Sequence, residues 1–136
     1  MLFESKAKSR IKVVDFGISG MCKGNIHEKN DAGTLRYMAP EVLQASYTTA
    51  NPAIDIWAMG IMLYCMIFDT FPFNGETSAV IKDKIINKDY KVPRHTPVTE
   101  ECLDLLRHML TKDPVTRYTL MQIRNHKWML LSDSAI

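Results

Sequence analysis

The spacing of apolar residues changes several times along the chain, and each change marks an element. Residues 2–3 and the β-branched run "IKVV" at 11–14 read as two short strands joined by the polar "ESKAKSR", with Val13 and Val14 as core candidates. From 17 to 35 no period survives. Four glycines and mixed charges make "GISGMCKGNIHEKNDAGT" a long loop, and such loops in a compact domain are usually functional.

Helical spacing begins at "PEVLQA", 40–45, where Pro40 and Glu41 both suit a first turn: one lacks an N–H that would go unpaired, the other carries negative charge. Residues 53–68 are apolar nearly all round, which predicts a helix buried on every side. "FPFNG" breaks it. An amphipathic helix over 77–87 follows, opened by Thr77 or Ser78, with Val80, Ile81 and Ile85 inward. "VPRHTP" is a rigid connector. Thr99 then caps "EECLDLLRHMLTK", in which Cys102, Leu103, Leu106, Met109 and Leu110 keep helical spacing. Asp113-Pro114 stops that helix, and Thr119 opens a last one through about Trp128. The expected fold is mainly α: a small β ribbon, a long loop, and about five to six helices around a central buried helix.

Composition narrows the possibilities. A chain of 136 residues, 46% hydrophobic and 24% charged, fits one soluble domain. A net charge of +2 gives no basic bias toward nucleic acid, and the alternating Lys6, Lys8, Arg10 and Lys12 read as a solvated turn and strand edge. The longest apolar stretch, 57–68, falls short of the roughly twenty residues that span a bilayer, so no membrane insertion is expected. Cys22, Cys65 and Cys102 are odd in number and widely spaced, which argues against a disulfide framework or a zinc site. An intracellular setting follows, with the cytoplasm favoured and the nucleus left open.

Four short stretches carry candidate chemistry. Asp15-Phe16-Gly17 ends an apolar strand, where a carboxylate released by a glycine can face a hard cation such as Mg²⁺. "GTLRYMAPE" occupies 33–41, "DIWAMG" opens the apolar helix at 55–60, and "DPVTR" ends at Arg117, followed by "HKW" at 126–128. An acid at the mouth of a buried helix, as Asp55 is read, must find hydrogen-bond donors. Glu41 and Arg117 are a natural pair, because a planar guanidinium can hold a carboxylate through two bonds.

In this order the four stretches resemble the C-terminal lobe of a eukaryotic protein kinase, whose signatures include D-F-G, A-P-E and the loop between them. The resemblance covers essentially the whole chain, 1–136, and implies an α+β lobe with an activation segment at 15–41. It implies that Asp15, with Phe16 and Gly17, forms the cofactor corner, Asp15 holding Mg²⁺ and Phe16 packing according to activity state. Thr34, Leu35 and Tyr37 then lie in the strip that positions the protein substrate. Glu41 with Arg117 is the structural ion pair, Asp55 the buried acid that ties the central helix to the catalytic-loop backbone, and Trp57 a structural residue beside it. "GTLRYMAPE" lacks the proline-centred pattern of tyrosine kinases, so serine/threonine specificity is implied. "PFNG" and "HKW" lean toward the calcium/calmodulin-dependent and energy-sensing groups.

Departures from the family pattern are informative. Asn30, Asp31 and Ala32 stand where an activating phosphothreonine is common: either Asp31 supplies a constant negative charge or activation does not use this position. Ser19 carries the only hydroxyl between Gly17 and Gly33 and is the other regulatory candidate. Cys65 stands where several base-directed kinases place an acid. Asp69 replaces a glycine, which an aspartate tolerates if the backbone is left-handed.

Phosphoryl transfer also needs a catalytic acid, a lysine and a glycine-rich cover on the phosphates. No H-R-D, V-A-I-K-like strand or G-x-G-x-x-G occurs in the sequence. "MLFESKAKSRIKVVDFG" resembles the run that follows the catalytic loop. Met1 would then stand a residue or two past the catalytic asparagine, with the catalytic-loop aspartate expected upstream of Met1 and no catalytic residue in the chain itself. A truncated lobe is therefore expected, its partners being the missing N-lobe and catalytic loop. ATP and Mg²⁺ would be cofactors of the full-length kinase, a protein its substrate, and the chain alone would be inactive. The alternative is a non-catalytic, kinase-derived binding or scaffold module.

Overall fold

The computed structural model describes residues 2–3, 11–12, 32–45 and 51–131, and there the chain is mostly helical. Strands β1 (Leu2–Phe3) and β2 (Ile11–Lys12) pair antiparallel, with Leu2 opposite Lys12 and Phe3 opposite Ile11. Met1, Val13 and Val14 lie outside the described residues. Seven helices follow among the described residues: α1 (Ala32–Leu35), α2 (Pro40–Gln44), α3 (Pro52–Phe68), α4 (Ser78–Asn87), α5 (Glu100–Met109), α6 (Leu120–Arg124) and α7 (Lys127–Leu131).

The helix starts follow from short polar side chains. Asn51 accepts the N–H of Ala53 at α3, Thr77 that of Val80 at α4, and Thr99 that of Cys102 at α5. Thr119 and Gln122 bond each other's backbone N–H in a capping box at α6. The helix expected to run on to Trp128 breaks at Asn125. His126 then starts a new one, its Nδ1 accepting the N–H of Trp128 at 3.2 Å while its Nε2 faces Asp104 of α5 at 3.0 Å. With Nδ1 accepting, the imidazole proton sits on Nε2 and is donated to the carboxylate. That bond is the main reason the Asp104 carboxyl lies below its ordinary value.

α3 buries Ile56, Trp57, Gly60, Ile61 and Tyr64 against two groups of side chains. On one side lie Ala39, Phe73, Ile81, Ile85, Leu106 and Leu110; on the other, Leu105, Met109 and Ile123. The helix is not buried on every side as its composition suggests. Asp55, Met59 and Met66 share one stripe and are exposed, Met66 at 74%. Val80, expected inward, is 42% exposed and lies over Gly75, leaving Ile81 and Ile85 as the buried positions of α4.

Two backbone positions set how these helices meet. Gly60 of α3 lets α5 come close: a Cβ there would stand 2.8 Å from Leu110 Cδ2 and 3.1 Å from Met109 Cβ. Asp69 ends α3 in the left-handed region at φ 53°, which accounts for an aspartate standing where glycine is usual. Behind them, the Lys112 ammonium donates to the carbonyls of Ile85 (2.7 Å) and Lys88 (2.6 Å), closing the C-terminal end of α4. Burial pushes the Lys112 amine below its ordinary value, and the charge of Asp89 opposes that shift.

Gly60→Ala is expected to destabilise the fold by about 1–2 kcal/mol, because overpacking against Met109 and Leu110 outweighs the roughly 1 kcal/mol gain in helix propensity. A raised melting temperature would show that α3 and α5 are not held at this spacing. Asp69→Gly should raise stability by about 0.5–1 kcal/mol by relieving the left-handed strain, read by the same unfolding measurement.

Candidate functional site

The strip 34–41 is pinned most firmly at its C-terminal end. Glu41 sits in the first turn of α2, and its two oxygens accept from Nη1 and Nη2 of Arg117 at 2.7 and 2.9 Å. Arg117 is 3% exposed, so its charge needs full compensation. Nη1 also donates to the carbonyl of Ala53, Nη2 to that of Lys112 and Nε to that of Thr111, all within 3.0 Å. All five N–H groups of the guanidinium are therefore bonded. Its plane lies 5.1 Å from the Trp57 ring, which stacks in turn on Phe73 at 6.1 Å. The indole N–H of Trp57 is buried with no acceptor among the described residues, so ring contacts hold this side chain in place.

The N-terminal end of the strip is held more lightly. Two tight turns fold it, Tyr37 N–H donating to the Thr34 carbonyl at 3.2 Å and Met38 N–H to that of Leu35 at 3.1 Å. Thr34 is exposed, Leu35 packs partly against the core, and Tyr37 meets Phe71 edge-on at 5.5 Å. Arg36 lies over the same Phe71 ring at 4.8 Å, and its guanidinium donates to the Asn74 side chain. Asn74 in turn donates to the carbonyl of Phe71 at 3.0 Å, fixing the "FPFNG" turn beside the strip. Burial pushes the Cys65 thiol above its ordinary value, and the Arg36 cation partly offsets this.

Of the residues singled out from sequence, Glu41, Arg117 and Trp57 come together, and Thr34, Leu35 and Tyr37 line one strip. Asp55 does not join them as a buried acid. It is exposed in the first turn of α3, where its charge favours the helix start without any burial cost. Asp15, Phe16, Gly17, Ser19 and Asp31 lie outside the described residues. So does Met1. Among the described residues no group of three or more His, Cys, Asp or Glu could hold a metal ion. Sequence reasoning missed Arg36, Phe71, Asn74 and Lys112, whose partners are distant in the chain.

A helical lobe whose A-P-E glutamate is locked to a buried arginine is of the protein-kinase type. Residues 1–129 match the family model for the protein kinase domain, and the chain belongs to that family. It is 35% identical over 130 residues to "Serine/threonine-protein kinase ssp1" of Schizosaccharomyces pombe, which covers 88% of this chain and 20% of the relative. It is 32% identical over 123 residues to "Serine/threonine-protein kinase SIK2" of Gallus gallus, covering 90% of this chain and 15% of that protein. A "Probable serine/threonine-protein kinase MARK-A" of Dictyostelium discoideum is 33% identical over 121 residues, covering 88% and 11%. The chain thus spans about a fifth or less of the length of these curated relatives. Among the described residues no helix is long and apolar enough to cross a membrane.

Glu41→Gln should lower unfolding stability by about 3–5 kcal/mol, because it leaves a buried guanidinium without its counter-charge. Arg117→Lys should lose nearly as much, since a point charge with three donors cannot replace a five-donor fork. Denaturant unfolding reads both. A loss of only about 1 kcal/mol in each would mean the pair behaves as a surface ion pair.

Proposed function

We propose that the chain is the substrate-receiving lobe of a protein serine/threonine kinase that transfers the ATP γ-phosphate to serine or threonine of a protein. The observation that carries this reading is the strip 34–41, anchored by Glu41 on Arg117 and presenting exposed Thr34 and half-exposed Tyr37. Such a strip can hold an extended peptide segment beside an acceptor hydroxyl without itself supplying chemistry. Thr34 and Tyr37 would contact the peptide and Leu35 would brace the strip from the core side. Asp15 would hold Mg²⁺ with Phe16 and Gly17 shaping that corner, and the metal with its nucleotide would supply the phosphoryl group and neutralise its charge. Ser19 and Asp31 are the regulatory candidates of the same segment, by modification and by fixed charge respectively. No H-R-D, V-A-I-K-like strand or G-x-G-x-x-G occurs in the sequence, so the catalytic aspartate, the phosphate lysine and the glycine-rich cover would come from a catalytic loop and an N-lobe, and the 136-residue chain alone would be inactive. The free thiols of Cys65 and Cys102 support a reducing, intracellular and mainly cytoplasmic setting.

The test joins this chain to the N-lobe and catalytic loop of a related kinase and follows ³²P transfer to a protein substrate. Phosphate should appear on serine or threonine and not on tyrosine. Asp15→Asn should lower kcat about a hundredfold or more, and Thr34→Ala should lower kcat/KM by about tenfold or more. A folded, nucleotide-binding fusion with no transfer would overturn the kinase reading and favour the scaffold module.

A further inference from the structure

Beside the strip, between the "FPFNG" turn and the segment that follows α4, lies an open groove of about 570 Å³. Its size is that of a ligand cleft, and its floor is partly apolar, with Phe73 at the base. Its charge is one-sided. Among the described residues Lys84, Lys88 and Lys91 line it against a single carboxylate, Asp89. Lys84 and Lys88 stand one turn apart at the end of α4, and both Lys88 and Lys91 are exposed.

Two details decide what such a groove accepts. The C-terminal carbonyls of α4 would ordinarily present partial negative charge there and repel an anion. Two carbonyls at that end are engaged: the Lys112 ammonium bonds those of Ile85 and Lys88, which sets a cation at the end of α4. The groove is also continuous with the substrate strip through Asn74. Its side chain accepts from Arg36, and its backbone carbonyl accepts from the Lys84 ammonium. Arg36, Lys84, Lys88 and Lys91 thus form one row of cations leading from the strip into the groove. The Lys91 end is fixed, because the Tyr64 hydroxyl donates to its carbonyl at 2.6 Å.

We infer that this groove docks an acidic, Asp- and Glu-rich segment of the protein substrate, adjoining the residue held on the strip; this rests on the kinase reading. Charge complementarity selects the occupant, since carboxylates spaced along an extended chain can meet successive ammonium groups while apolar side chains rest on Phe73. The thiol of Cys65 beside Arg36 adds no negative charge that would attract a basic segment instead.

The experiment measures fluorescence anisotropy of two labelled peptides with the full chain, one rich in Asp and Glu and one with Asn and Gln in their place. The acidic peptide should bind more tightly, and added salt should weaken it. The double variant Lys88→Glu/Lys91→Glu should weaken the acidic peptide by about tenfold, with the melting temperature unchanged because both side chains are exposed. Lys82→Glu, an exposed change on another face of α4, should leave binding as it was. Equal affinity for the two peptides, or indifference to the double reversal, overturns the proposal. Because binding is read without phosphoryl transfer, that failure leaves the kinase reading standing, and an inactive fusion leaves the groove standing.

Discussion

A buried guanidinium with every N–H bonded organises this lobe. Arg117 joins Glu41 from α2, the carbonyl of Ala53 in the first turn of α3, and those of Thr111 and Lys112 after α5. Taking an arginine out of water costs several kcal/mol, and that cost is met only when the geometry satisfies both charge and donors. The arrangement therefore has little slack. If α2 shifted by about an ångström, at least one of the bonds to a fully buried guanidinium would be lost. The stack of Arg117, Trp57 and Phe73 carries the same constraint to the "FPFNG" turn.

Lysine and histidine side chains do for helix ends what arginine does for the strip. Lys112 closes α4, and His126 opens α7 while its other nitrogen ties that helix to Asp104 on α5. Each satisfies orphaned backbone groups with a side chain from elsewhere or from the turn itself. Lys112 and Arg117 lie five residues apart and face different neighbours, so the short segment after α5 fixes both α4 and α2. Gly60 then lets α5 sit close enough for that segment to reach them.

Much of this was legible in the sequence, where a local signal sufficed. Thr77, Thr99 and Thr119 are caps because a hydroxyl three residues before an N–H is a local geometry. Pro40 and Glu41 announced α2 for the same reason. Glu41 and Arg117 could be paired across 76 residues because their charges are opposite and a planar guanidinium holds a carboxylate through two bonds. Periodicity misled where its meaning was tertiary. It continued through 119–128 although a histidine cap restarts the helix at 126, and it counted Val80 inward although Gly75 leaves it at the rim. The apolar surround of α3 suggested burial on all sides, yet hydrophobic composition cannot say how many neighbours a helix has. Asp55 was read as a buried acid from its place at the mouth of that helix and from the family resemblance, and it stands exposed. The row from Arg36 through Asn74 to Lys84 was illegible because each of its contacts is a single hydrogen bond or ring contact near the surface, with no pattern that marks it.

The two ends of the strip differ in strength, and that difference suits its role. At Glu41 the anchor is a buried, doubly bonded ion pair, the kind whose rupture costs about 3–5 kcal/mol. At Arg36 and Tyr37 it is an exposed amide bond and contacts with Phe71, each of the order of 1 kcal/mol or less. Local opening follows the weaker anchors, so the Thr34 end can adjust while the Glu41 end stays fixed. A surface that must accept different side chains beside an invariant hydroxyl needs both properties in one short segment. In the proposed role the rigid end would set where a peptide backbone runs, and the lightly held Arg36, between Phe71 and Asn74, would be the part of the strip that adjusts to the substrate's charge.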